Sequence, residues 1–149
     1  NSIEDKKMIR KLYEASCAGV NIDLIVRGIC CIVPGNEGLS ENIKVRSIVD
    51  KYLEHARFYF FHNNGDPKIY AASADWMKRN LSRRIEVGFP VYQQENKDDI
   101  MKLLEIQLND NSKARIIDDK NNNNYFVSEN SIIRSQIDFY KYLQILNKD

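Results

Sequence analysis

The chain has 149 residues, of which 43% are hydrophobic and 29% charged, the balance of one soluble globular domain with a core of its own. A formal net charge of +1 argues against bulk electrostatic capture of nucleic acid or of an anionic membrane. The longest apolar run, Ile29 to Val33, is far short of the roughly 20 residues of a spanning helix, and the adjacent pair Cys30 and Cys31 with a lone Cys17 fits neither a disulfide framework nor spaced zinc-ligand pairs.

The predicted elements follow in chain order. Ser2, with Glu4 and Asp5 behind it, suits the cap of a helix over 4–18, whose apolar residues Met8, Ile9, Leu12 and Tyr13 recur at helical spacing and which Gly19 ends. Ile22, Leu24 and Val26 then alternate as in a strand, and apolar character continues through Ile29 to Val33; Arg27 falls at or just past the strand end, where open α/β sheets place ligands. The turn-rich segment 34–42 leads to a helical stretch over 44–53. Phe58 to Phe61 and Ile69 to Ala72 read as the arms of a hairpin about Asn63-Asn64-Gly65-Asp66-Pro67. A helical turn over 76–81, a strand over 84–89, a helix beginning near Asn96 and a last helix beginning at Ser131 complete the reading, with Asn121 to Asn124 as a surface insertion. The expected fold class is α/β (α+β), a mixed sheet flanked by helices in a single domain 1–149, with 93–149 as its helical tail. The three cysteines are expected to behave as small buried hydrophobes in a reducing compartment.

Charge is unevenly distributed within that frame. Residues 22–92 hold six of the nine arginines, whereas residues 93–149 carry 8 basic and 10 acidic side chains. Arginine grips phosphate and carboxylate with a planar fork, so its clustering without lysine points to a localised anion site. Of the two histidines, His62 borders the hairpin turn. His55 lies two residues before Arg57, on one face of the strand entry, and the other end of the hairpin carries Ser73 and Asp75 at the same spacing. A hairpin brings its ends together, and an imidazole beside a cation and a hydroxyl can move a proton while oxygen charge is neutralised, as phosphoryl chemistry requires. Trp76 is read as a core anchor.

The stretch Gly19-Val20-Asn21-Ile22-Asp23-Leu24-Ile25-Val26-Arg27-Gly28-Ile29-Cys30-Cys31 resembles the C-terminal catalytic domain of the large bacterial polyphosphate kinases. Gly38 to Ile43 with Val45 to Val49, Leu53-Glu54-His55-Ala56-Arg57, Ser73 to Met77 with Arg79 to Leu81, and Arg84-Ile85-Glu86-Val87 agree in order and spacing, covering residues 1–91. The resemblance implies a phospholipase-D-like fold. It also implies an enzyme that transfers the γ-phosphoryl of ATP reversibly to polyphosphate through a phosphohistidine, with Mg²⁺. His55 would be the catalytic histidine of this chain, and Arg27, His55 and Arg84 would contact ATP phosphates. Arg57, Ser73, Asn80 and Arg46 are further candidates, and no metal ligand is assigned here. The phosphorylated histidine and most Mg²⁺ contacts would belong to a preceding domain, the chain starting partway into its own domain and supplying half a site.

The implied partners are ATP or ADP, inorganic polyphosphate and the upstream domains, with no nucleic acid. The whole protein would be a cytoplasmic homo-oligomer, peripheral at the inner face of the membrane. Two readings compete with this one. In a phospholipase-D-like phosphodiesterase, His-x-Lys and Gly-Ser-x-Asn would stand where His55-Ala56-Arg57 and Ala72-Ser73-Ala74-Asp75 are found, and Asp would replace His62. In a non-catalytic oligomerisation or interaction module the arginines would dock a partner.

Overall fold

A computed structural model describes residues 1–129 and 131–146. Its elements are α1 (Lys6–Cys17), β1 (Ile22–Ile25), β2 (Ile43–Ile48), β3 (Phe58–Phe61), β4 (Lys68–Ala72), α2 (Lys78–Arg83), β5 (Gly88–Pro90), α3 (Gln94–Leu108), β6 (Ala114–Ile117) and α4 (Ser135–Leu146). They build a mixed α/β fold with two three-stranded sheets, β1-β2-β6 and β3-β4-β5.

In the first sheet β1 runs parallel to β2, from Ile22 against Ile43 to Ile25 against Arg46, and β2 runs antiparallel to β6. The central strand β2 occupies the segment expected to be helical. Val45, Ile48, Val49, Tyr52 and Leu53 satisfy helical spacing, but the β-branched side chains prefer the strand, where Ile43, Val45 and Ile48 turn inward and Lys44 turns to solvent. Ile43 and Val45 join Ile3, Ile9, Val26 and Ile32 in the core, against which Leu12, Tyr13 and Trp76 also pack. Trp76 is thus a core residue, stacked on Tyr59 with ring centroids 5.1 Å apart.

The first residues bridge instead of capping. Ile3 pairs with both Cys30 and Trp76, so the segment after β1 turns to meet the chain start; β1 ends at Ile25, which leaves Arg27 just past the strand end as expected. Asp5, not Ser2, caps α1, its carboxylate accepting from Lys7 N and Met8 N. Gly28 lets the two segments approach closely at this crossing: a Cβ there would lie 2.6 Å from Ser2 Oγ, which would have to rotate away, and 3.1 Å from the Asn1 carbonyl oxygen. Gly19 ends α1 at φ +84°, as expected. Extended chain alternates its side chains, so Cys30 is half-buried and Ile32 buried while Cys31 is exposed. Cys17, on the last turn of α1, is exposed as well, and the expected burial of the cysteines does not hold.

The second sheet is the predicted hairpin plus an edge strand. Phe58 pairs with Ala71 and Phe61 with Lys68 across a turn in which Asn63, Asn64 and Gly65 have positive φ. The strand expected over 84–89 is confined to Gly88–Pro90, and it holds Pro90 because an edge strand tolerates a missing N–H. The helical turn near Trp76 forms two residues later, as α2.

The segment read as a helical tail contributes β6 to the first sheet, between α3 and α4; its residue 130 and residues 147–149 lie outside the described residues. Asp110, fully buried, ties these elements together. Its Oδ1 accepts from the backbone N–H groups of Ser112, Lys113 and Ala114, and its Oδ2 from Ser135 N. The asparagine run is a built turn: Asn121 and Asn123 sit at φ +55°, Asp118 accepts from Asn122, and Phe126 N reaches Ala114 O. Asparagine tolerates the left-handed region better than other side-chain-bearing residues do. Among the described residues no helix is long and apolar enough to cross a membrane.

Candidate functional site

Both ends of the hairpin meet at the start of β3. Arg57, half-buried, donates from Nε to Asp75 Oδ1 at 2.9 Å and from Nη1 to the His55 carbonyl at 3.1 Å. Its two terminal nitrogens also lie 3.4 and 3.1 Å from Nδ1 and Nε2 of His55, so the guanidinium lies across an imidazole that is otherwise exposed. A neutral ring accepts at only one nitrogen, so at most one of these two contacts is a hydrogen bond at a time, and together they fix the orientation of His55. The period-two spacing that predicted a shared face for His55 and Arg57, and the hairpin that predicted Asp75 beside them, are both realised.

Asp75 is 8% exposed. Burial pushes its carboxyl up, while the Arg57 hydrogen bond and the Arg57 charge pull it down, and it lies below the ordinary carboxylate range. Asp75 is thereby an ionised anchor for Arg57.

Arg27 enters from the end of β1. Its Nε donates to the carbonyl oxygen of Glu54, the residue before His55. Among the described residues its terminal nitrogens make no hydrogen bond, which leaves the outer fork of the guanidinium for an anion. Arg27 and Arg57 thus hold successive carbonyls of the chain that carries His55.

Ser73 and Asn80 converge on a residue to which the sequence reading gave no role. Ser73 Oγ donates to Glu86 Oε2 while accepting from Val87 N at 3.0 Å, and Asn80 Nδ2 donates to Glu86 Oε1 at 2.6 Å. The Ser73 and Asn80 hydrogen bonds, then the Arg84 and Arg57 charges, hold the Glu86 carboxyl below its ordinary value. Asn80 is 4% exposed and its Oδ1 has no partner among the described residues. The signal for Glu86 lay in the quoted run Arg84-Ile85-Glu86-Val87, where a carboxylate stands between two exposed apolar residues.

Arg84 lies exposed just after α2, close enough to Glu86 to act on its charge, and forms no ion pair among the described residues. Arg46 is placed elsewhere: its guanidinium lies 4.2 Å from the centre of the Phe126 ring, in a cation–π contact that joins β2 to the asparagine turn. His62 is exposed beside the turn at the far end of the hairpin.

The Mg²⁺ implied by the resemblance was tested against these donors. Among the described residues no group of three or more His, Cys, Asp or Glu is placed to hold an ion, and Asp75 is committed to Arg57 while Glu86 is committed to Ser73 and Asn80. These residues do not fit Mg²⁺.

Comparison with known proteins places the chain in a family. The model of the polyphosphate kinase C-terminal domain 2 matches residues 1–136. A polyphosphate kinase of Vibrio vulnificus is 50% identical over 149 residues, covering 99% of this chain and 21% of that protein. One from Halalkalibacterium halodurans is 58% identical over 115 residues, covering 77% of this chain and 16% of that protein. The crystal structure of a polyphosphate kinase from Porphyromonas gingivalis superposes with a TM-score of 0.96 at 48% identity, over 99% of this chain and 23% of that one. This chain therefore spans about a fifth of the length of the curated relatives it matches. The family match extends well past residue 91, where the resemblance read from the sequence stopped, because β6 and the start of α4 belong to the same fold. The chain belongs to the polyphosphate kinase C-terminal domain 2 family.

Proposed function

We propose that this chain supplies the second histidine and the phosphate-gripping arginines of an ATP:polyphosphate phosphotransferase. The observation that carries the reading is the convergence of Arg27 and Arg57 on the carbonyls of Glu54 and His55, with the imidazole of His55 left open to solvent. Phosphoryl transfer asks a protein mainly for positioning and for neutralisation of charge spread over oxygens. Arg27 meets that demand with its free outer fork, each charge-assisted bond to phosphate contributing about 1.5–3 kcal/mol. Arg84 adds exposed positive charge. His55 donates a hydrogen bond to the group in transfer or exchanges a proton with it, and general acid–base assistance of that kind is worth roughly 10²–10⁴ in rate.

Arg57 acts through His55 in this scheme, since its Nε–H is committed to Asp75 and its terminal nitrogens to His55. The γ-phosphoryl group of ATP passes first to a histidine outside residues 1–149 and then to the end of a polyphosphate chain. ATP and polyphosphate are the substrates, Mg²⁺ is held by residues beyond this chain, and the whole enzyme is a cytoplasmic homo-oligomer at the inner face of the membrane.

The test is to map the phosphoenzyme. Full-length enzyme treated with γ-labelled ATP should carry acid-labile phosphate on a histidine outside this chain and none on His55 or His62. Stoichiometric label on His55 would make His55 the covalent acceptor and overturn this division of labour.

A further inference from the structure

His55 stands in a segment with few holds of its own. The chain leaves β2 at Ile48 and enters β3 at Phe58, and residues 51–56 between them make no backbone-to-backbone hydrogen bond among the described residues. Side chains hold this segment from two directions. From the site, Arg27 reaches Glu54 O and Arg57 reaches His55 O. From the opposite direction come two residues at the beginning of α4. Gln136, 7% exposed, accepts from Tyr52 N through Oε1 and donates to Tyr52 O through Nε2, both at 2.8 Å, a side chain imitating a strand partner. Arg134 donates from Nε and Nη2 to the two oxygens of Asp50 at 2.8 and 2.7 Å.

The start of α4 is rigid enough to serve as a reference. Asp110 accepts from Ser135 N at 2.7 Å, Asn111 Oδ1 from Ile133 N at 2.8 Å, and Asp138 Oδ2 from Arg134 N at 2.9 Å. Asp110 in turn is fixed to the start of β6. A continuous set of hydrogen bonds thus runs from the first sheet, through Asp110 and the α4 terminus, to Asp50 and Tyr52, the latter three residues before His55.

We propose that Gln136, with Arg134, is a positioning residue for His55, setting the height of the histidine segment above the arginine fork. This rests on the functional reading given above. Without the Gln136 clamp the segment is held mainly by Arg27 and Arg57, so its position would rest on the same arginine that grips the phosphate. Misplacement of a reacting group by about 1 Å costs up to roughly 10² in rate, so the effect belongs in the chemical step.

The experiment uses full-length enzyme and steady-state polyphosphate synthesis. Gln136→Ala should lower kcat about 10-fold or more while KM for ATP moves less than about 3-fold, at unchanged yield of folded protein. Gln136→Glu, which still accepts from Tyr52 N–H but cannot donate to Tyr52 O, should fall between the two. Should Gln136→Ala fail to fold, Arg134→Lys, which keeps a single contact to Asp50, should show the same split at smaller size. His55→Ala, run in parallel, separates the two claims. If His55→Ala is inactive while Gln136→Ala and Arg134→Lys retain kcat within about twofold of the parent, the positioning proposal is wrong and the functional reading stands. If His55→Ala is active, both fall.

Discussion

Arg27 and Arg57 have the same side chain and spend it differently. Arg57 is absorbed by Asp75 and His55, whereas Arg27 gives one N–H to the Glu54 carbonyl and keeps its outer fork. The planar guanidinium makes this division possible, and a lysine ammonium could not bond Glu54 O and a phosphate in the same geometry. Arg27→Lys in the full-length enzyme should therefore raise KM for ATP about 10-fold, equivalent to the loss of one charge-assisted bond; an unchanged KM would remove Arg27 from the phosphate site. At this scale most of the site was legible. The two-residue spacing of His55 with Arg57 and of Ser73 with Asp75, joined by a hairpin, predicted the contacts of Arg57 with His55 and Asp75. The spacing of residues carries no information on which donor an arginine commits to which partner, so the roles of Glu86 and of the Phe126 ring over Arg46 were not legible.

Asp110 shows at the level of elements how the chain beyond α3 is held. Its carboxylate serves four backbone N–H groups from two segments, and with burial opposing and these hydrogen bonds favouring the charge, its pKa lies below the ordinary carboxylate value. Asp110→Ala leaves buried donors unmet at about 1–3 kcal/mol each, part of which water recovers, so a loss of about 3 kcal/mol in urea unfolding is expected. Asp110→Asn should cost less, because its carbonyl still serves the Ser112, Lys113 and Ala114 donors while its amide opposes Ser135 N. At the asparagine turn, Asn123→Val places a β-branched residue at φ +55° and should cost about 1–2 kcal/mol. The hairpin, α1 and α3 followed from period and turn chemistry. The central strand β2 did not, since its apolar residues satisfy both periods and only the partner strands decide between them. Strand β6 escaped notice for a different reason: Ala-Arg-Ile-Ile is too short to declare a period, and its place against β2 is fixed by Asp110 and the asparagine turn behind it.

Over the whole molecule, the ionised carboxylates that organise the fold set its response to acid. Asp50, Asp75 and Asp110 all lie below the ordinary carboxylate value in the folded chain, Asp50 through its Arg134 hydrogen bonds and the other two through bonds that outweigh burial. A depressed folded pKa means that the unfolded state takes up protons first as pH falls. Each group's contribution is therefore fully present above about pH 4–5 and is lost as pH drops through its folded value. Unfolding midpoints measured from about pH 6 to pH 3 should fall progressively at the acid end, and Asp110→Asn should flatten that slope; equal slopes in parent and variant would remove Asp110 from the account.

The central claim is that His55 takes part in the catalysis of polyphosphate synthesis. Polyphosphate synthesis by full-length enzyme carrying His55→Ala, with its melting temperature checked against the parent, tests that claim most directly. The account predicts a fall in kcat of about 10² or more at an unchanged melting temperature, and synthesis within about threefold of the parent would contradict it.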